Sequence, residues 1–258
     1  MKARLRAAAK AALIHLAFSV VLVGSVTTVL FHFWFRGPYL DLFDGLRIVL
    51  IAILVDIVCG PLITAVVYNP AKSRRELTLD LTLVVLIQLA ALAYGIHVAA
   101  MSRPVALVFE VDRFVAVAAG QVNENALPEA PEGARTLPLI DEPKLLGTRE
   151  PKDNAEMLKS IERSLAGEEP SVRPDWWQTY ADSRPTVKKR MKKLADLEAR
   201  LPDDARAALA KALAETRQPA AVRYYLPLTS QKKLNDWIVL LDADAQPLGF
   251  APVSGWDD

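Results

Sequence analysis

The chain has 258 residues, 52% of them hydrophobic, and its 31 Lys+Arg against 30 Asp+Glu leave a formal net charge of +1. That near-neutral figure averages two unlike halves: residues 1–100 hold nine Lys+Arg and five Asp+Glu, whereas residues 101–258 hold 22 and 25. A single cysteine, Cys59, lies inside an apolar run and excludes a disulfide scaffold in the second half.

Met1–Lys10 carries Lys2, Arg4, Arg6 and Lys10, followed by an apolar run from Ala11 to about Phe35. The run is longer than the roughly 7–15 residues of a signal-peptide core, and "FRGPYL" rather than a small-x-small site follows it. It is therefore expected to be an uncleaved anchor helix, with Phe31, Phe33, Trp34 and Tyr39 as an aromatic belt at its far end.

Two further apolar runs, Leu46–Tyr68 and Thr78–Ala100, are each long enough to cross a bilayer, which takes about 20 residues. The turn Asn69–Leu77 joins them as a tight hairpin, and its residues Asn69, Pro70, Lys72, Arg74 and Arg75 read as a cytoplasmic hinge. The basic tail and hinge together outweigh Arg36 and Arg47 between the first two runs. The positive-inside bias then predicts an N-terminus inside, three crossings (about 11–35, 46–68 and 78–100) and the rest of the chain outside. The expected division is 1–102 for the transmembrane domain and 103–258 for an extracytoplasmic domain.

Asp56 lies near the middle of the second run and Gln88 near the middle of the third. At about 1.5 Å per residue, antiparallel neighbours place them at nearly one depth. The pair reads as a polar clasp, as a surface for another membrane helix, or as part of a proton relay, for which only Asp80 offers a further carboxylate, neutralised by Arg74 or Arg75. Gly60 and Pro61 predict a kink whose freed carbonyl is met by Thr64 or a neighbouring helix. His32 and His97 fall near the outer interface and are read as packing rather than as a metal site.

Beyond Ser102, "RPVALVFEVDRFVAV" alternates as a β-strand, and the Pro- and Gly-rich stretch 118–149 reads as extended loop. Helical patterns follow at Asp153–Leu165, Trp176–Tyr180, Thr186–Leu201 and Asp203–Glu215, the last capped by Asp203 or Asp204. "VRYYLPL", "DWIVLLDA" and "PLGFAPV" then form strands, the latter two a hairpin across Asp242–Gln246. The outline is an α+β domain. The basic run Lys188–Lys193 reads as a solvated helix face and not as a nucleic-acid site, and Trp176 and Trp177 as core or interface anchors. Nucleophile-elbow, P-loop, HExxH and CxxC motifs are missing, and the histidines are His15, His32 and His97. The expectation is a protein that is not an enzyme and takes no cofactor or metal.

"DIVCGPLITAVVYNPAKSRREL", "DLTLVVLIQLAALAYG", "RPVALVFEVDRF", "LLGTREP" and "YLPL…DWIVLLDA" occur in an order that resembles the TfpX/TfpZ family of type IV pilin accessory proteins. The resemblance spans nearly the whole chain. It implies a multi-pass bacterial inner-membrane protein with a periplasmic C-terminal domain, acting in type IV pilus biogenesis and affecting how much pilin reaches the surface. On that footing the expected partners are the lipid bilayer, a type IV pilin and other pilus assembly proteins. Asp56 and Gln88 are candidates for the pilin-helix surface, and Asp112, Arg113 and the terminal meander for the pilin head. The function expected is chaperone-like and non-catalytic; the alternative is a membrane-anchored sensor whose periplasmic domain binds a ligand.

Overall fold

The computed structural model describes residues 2–256; Met1 of the basic tail and Asp257–Asp258 at the end of the expected second domain lie outside the described residues. The chain forms two compact units, one running through Trp34 and again over Asp44–Met101, the other made of Phe35–Phe43 and the chain from Ser102 onward.

The first unit is helical. α1 (Lys2–Phe33) begins well before Ala11, because Lys2–Lys10 is built from Ala, Leu, Lys and Arg, all strong helix formers. The second apolar run is broken into α3 (Gly45–Ile53), a π-helical turn (Leu54–Cys59) and α4 (Gly60–Val67). The third is α5 (Arg74–Ser102), longer than Thr78–Ala100 at both ends. A reciprocal cap starts α5: the Glu76 N–H donates to Ser73 Oγ at 3.3 Å, and Glu76 Oε2 accepts from the Ser73 N–H at 2.9 Å. Three helical stretches, Lys2–Phe33, Gly45–Val67 and Arg74–Ser102, are long and apolar enough to cross a membrane.

The second unit is a mixed sheet with helices. Its strands are β1 (Pro104–Glu110), β2 (Arg113–Ala118), β3 (Lys144–Thr148), β4 (Trp177–Thr179), β5 (Lys192–Lys193), β6 (Tyr224–Thr229), β7 (Trp237–Leu241) and β8 (Pro247–Ala251). They run in the order β4-β3-β1-β2-β6-β7-β8, with β5 beside β6. β1 with β3 and β2 with β6 are parallel, and the other pairs antiparallel. The helices are α2 (Tyr39–Leu42), α6 (Asn154–Leu165), α7 (Tyr180–Arg190), α8 (Leu194–Arg200) and α9 (Asp203–Glu215).

Several expectations are corrected. The stretch Arg103–Val117 is a hairpin rather than one strand: Val111, at a φ of +58°, turns the chain between β1 and β2. β3 lies inside the stretch read as loop. Trp176–Tyr180 is not one helix: Trp176 closes a 3-10 turn, Trp177–Thr179 pairs with β3 as β4, and Tyr180 opens α7. Thr186–Leu201 is two helices, α7 and α8, parted by β5, whose Lys192 and Lys193 pair with Tyr225 and Tyr224 of β6. The basic run is thus split between the last turn of α7 and a strand, and Lys188 meets Asp244 at 2.8 Å. Neither Asp203 nor Asp204 caps α9; Pro202 holds the cap position. The hairpin of β7 and β8 forms across Asp242–Gln246, where the Asp242 side chain accepts from the N–H groups of Asp244 and Gln246, both at 2.8 Å.

The pairing register sorts the core into two faces. Ala106, Val108, Val115, Val117 and Leu146 lie on one, continuing into Tyr225, Ile238 and Leu240, where leucines of α8 and α9 cover them. On the other face Phe114, Leu226, Leu228 and Val239 are fully buried. α7 approaches closely at Gly147: a Cβ there would lie 1.8 Å from Ser183 Oγ, so any larger residue forces Ser183 or α7 to shift. Farther along that face sits the Phe35–Phe43 segment, contributed from between the first two apolar runs.

Candidate partner-binding sites

In the helical unit the site begins with a backbone defect. A π-helical register hands each carbonyl to the N–H five residues on. For Asp56 that partner is Pro61, which has no N–H to give. The orphaned Asp56 carbonyl instead accepts from Gln88 Nε2 at 3.2 Å, a bond between the second and third apolar helices. Gly60 leaves room for it, since a Cβ there would stand 1.8 Å from Gln88 Nε2. Gly60, Pro61 and Gln88 therefore act as one device. The expected meeting of Asp56 and Gln88 takes place through the main chain rather than the carboxyl. The freed carbonyl is met by the neighbouring helix, while Thr64 is engaged elsewhere, with His15 Nδ1 2.6 Å from its hydroxyl.

The Asp56 side chain is buried at 5% exposure, and its Oδ1 is enclosed without a hydrogen-bond partner. It borders a cleft of about 700 Å³ whose apolar walls include Phe18 and Leu22 of α1 and Val85 and Leu89 of α5, with His15, Thr64 and Gln88 among its polar lining. His15 gave no signal in the sequence beyond being a polar residue in an apolar run.

The hinge is locally ordered. Asn69 Oδ1 accepts from the Ala71 N–H at 3.2 Å, an Asx-turn, with Pro70 exposed between them. Lys72, not Arg74 or Arg75, pairs with Asp80, at 2.5 Å; both arginines are exposed.

In the second unit Asp112 and Arg113 stand together on the β1–β2 turn. Arg113 Nε reaches Asp112 Oδ1 at 3.0 Å, and its guanidinium lies over the Trp256 ring at 4.8 Å. Trp256 in turn donates through Nε1 to the Leu234 carbonyl at 3.1 Å, which joins this turn to the connection between β6 and β7. Asp112 and Arg113 thus belong to one unit, and Asp56 and Gln88 to the other.

A second cluster is more deeply set. Glu110 Oε2 accepts from the Ser171 N–H at 3.0 Å, and burial outweighs that bond to push the Glu110 carboxyl above its usual range. Arg173, 2% exposed, donates to Ser160 Oγ, and burial is the main cause lowering its pKa. The Trp176 ring lies between the Arg173 and Arg149 guanidinium groups, 4.5 and 4.6 Å away. Arg149 grips Glu156 through two bonds of 2.7 and 3.0 Å, and these bonds pull the Glu156 carboxyl down to about 2. Trp176 and Trp177 are both buried, and Trp177 Nε1 donates to the Ser171 carbonyl at 2.7 Å. The cluster ties α6 and the two short turns before β4 to the ends of β1 and β3. Among the described residues no three His, Cys, Asp or Glu side chains gather as a metal site.

The Phe35–Phe43 segment was not foreseen as part of this unit. Leu42 is fully buried, its carbonyl accepts from Ser230 Oγ at 2.7 Å, and Asp41 Oδ2 accepts from Trp237 Nε1 at 2.8 Å. Tyr39 packs on Phe43 and Phe250 at 6.3 and 6.0 Å, so it serves the sheet rather than an aromatic belt. The apolar spacing of "YLDLF" is the signal that could have shown it.

No family model and no solved structure matches the chain. Among curated proteins it is 30% identical over 245 residues to the fimbrial assembly protein, serogroup I, of Dichelobacter nodosus, and 31% identical over 245 residues to that of serogroup E1. Each alignment covers 93% of both chains. A third protein, the fimbrial assembly protein of serogroups C1 and C2 from the same organism, is 33% identical over 129 residues, half of this chain and 98% of its own length. With likeness of that extent along nearly its whole length, the chain belongs to the family of fimbrial assembly proteins.

Proposed function

We propose that this protein is an inner-membrane accessory factor of type IV pilus biogenesis, of the TfpX/TfpZ kind, which binds pilin before assembly and performs no catalysis. The observation that carries this reading is the near full-length similarity to fimbrial assembly proteins. Three helical stretches able to cross a membrane, with basic residues at the start of the first and between the second and third, support a three-pass topology. In it the N-terminus and hinge are cytoplasmic and the sheet unit is periplasmic. A pilin awaiting assembly presents an apolar helix in the membrane and a globular head outside it. The helical unit, with Asp56 and Gln88, serves the first, and Asp112, Arg113 and the neighbouring β6–β8 meander serve the second.

The test is recovery of pilin. In membranes from cells making both proteins, pilin should co-purify with the full chain, and a deletion strain should show changed total or surface pilin. Wild-type pilin levels and pili in that strain would refute the reading, as would a C-terminal reporter active only in the cytosol.

A further inference from the structure

Along α1 the cleft in the helical unit is lined from Ala7 to Val23, a reach of about 24 Å at 1.5 Å per residue. A trough of that length with apolar walls and a volume of about 700 Å³ seats one face of a helix of some 16 residues, a more extended shape than a compact small molecule has. Its lining is not uniformly apolar. Asp56 Oδ1 is enclosed and without a hydrogen-bond partner, although Gln88 and His15 already hold the Asp56 carbonyl and Thr64. In an apolar surrounding an unmet polar oxygen costs free energy until a donor reaches it. A lipid chain fills apolar space and has no donor.

Resting on the reading that the partner is pilin, we infer that the pilin helix lies in the cleft between α1 and α5 and brings a hydrogen-bond donor to Asp56. The donor is a hydroxyl, amide or ammonium group at the depth of His15 and Gln88. The π-helical turn places Asp56 on the wall of the cleft while Gln88 holds its backbone, and the Asp56 side chain turns from its enclosed position to meet the donor as the helix seats. This assigns α1 a binding role beside the second and third helices.

The experiment uses the full chain co-expressed with pilin, in a Cys59→Ala background. Phe18→Cys and Leu89→Cys line the cleft, whereas the exposed Leu62→Cys and Leu83→Cys do not line it. Labelled with a photoreactive maleimide, the first two should crosslink pilin and the second two should not. Pilin recovery should fall at least tenfold in Asp56→Leu and in the cleft-filling Leu22→Trp. It should stay within about threefold of wild type in Asp56→Asn, which keeps an acceptor oxygen. Thermal melting in detergent checks that each variant folds. Undiminished recovery in a folded Asp56→Leu, or crosslinks from the cleft positions to lipid alone, would overturn the inference while leaving pilin as partner. Failure of wild type to recover any pilin overturns the reading beneath it as well.

Discussion

Leu42 offers the sharpest test of how the sheet unit is built. It comes from the short link between the first two apolar runs, yet it is fully buried, with its carbonyl bound to Ser230. Truncation to alanine leaves the backbone bond in place and removes the buried methyl groups. Core Leu→Ala changes cost about 2–5 kcal/mol, and a central value near 3 lowers the midpoint of a domain of this size by roughly 6–12 °C. Tryptophan fluorescence reads the change selectively, because Trp176, Trp177, Trp237 and Trp256 all lie in this unit and only Trp34 lies in the other. Leu13→Ala, at an exposed position of α1, is the control. A second arm compares residues 103–258 alone with the same fragment carrying 35–43 on a flexible linker; the linked form should melt higher. If Leu42→Ala melts within about 1 °C of wild type and the two fragments melt alike, the segment is not a structural part of the sheet unit.

Gly147→Ala should destabilise the sheet unit by about 1–3 kcal/mol in denaturant titration, because its Cβ would lie 1.8 Å from Ser183 Oγ; adding Ser183→Gly should recover most of the loss. Glu156 is held at about 2 by Arg149, below its ordinary 4.5, so its stabilising contribution is complete above roughly pH 4.5 and is lost as pH falls toward 2. Acid titration of Glu156→Gln should therefore start from a lower stability at neutral pH and show a shallower decline over that window. An unchanged slope would break the assignment.

Length and hydrophobicity made the three long apolar helices legible, and alternation with turn residues exposed β7 and β8. The β1–β2 hairpin stayed hidden because its turn uses Val111 at positive φ, where Gly or Asn is the usual marker. The break between α7 and α8 was masked by Lys and Arg, whose helix propensity is overridden when β5 pairs with β6. For Asp56 and Gln88, depth along the helices was enough to bring them together. Which atoms meet depended on the register of a π-helical turn, which periodicity does not report. The Glu110, Arg149 and Arg173 cluster joins residues from four separate stretches of chain, and spacing carries no trace of it.

The bonds from Ser230 to Leu42 and from Trp237 to Asp41 close loops of 188 and 196 residues. During synthesis the YLDLF stretch is made long before β6 and β7 exist to shelter it, so its leucine and aromatic rings wait uncovered until the last strands arrive. Closure over so many residues is slow, since the entropy of the loop is lost before the contact forms. Chains cut short ahead of β6 lack both Ser230 and Trp237, and so leave Leu42 and Asp41 without the partners that fix them.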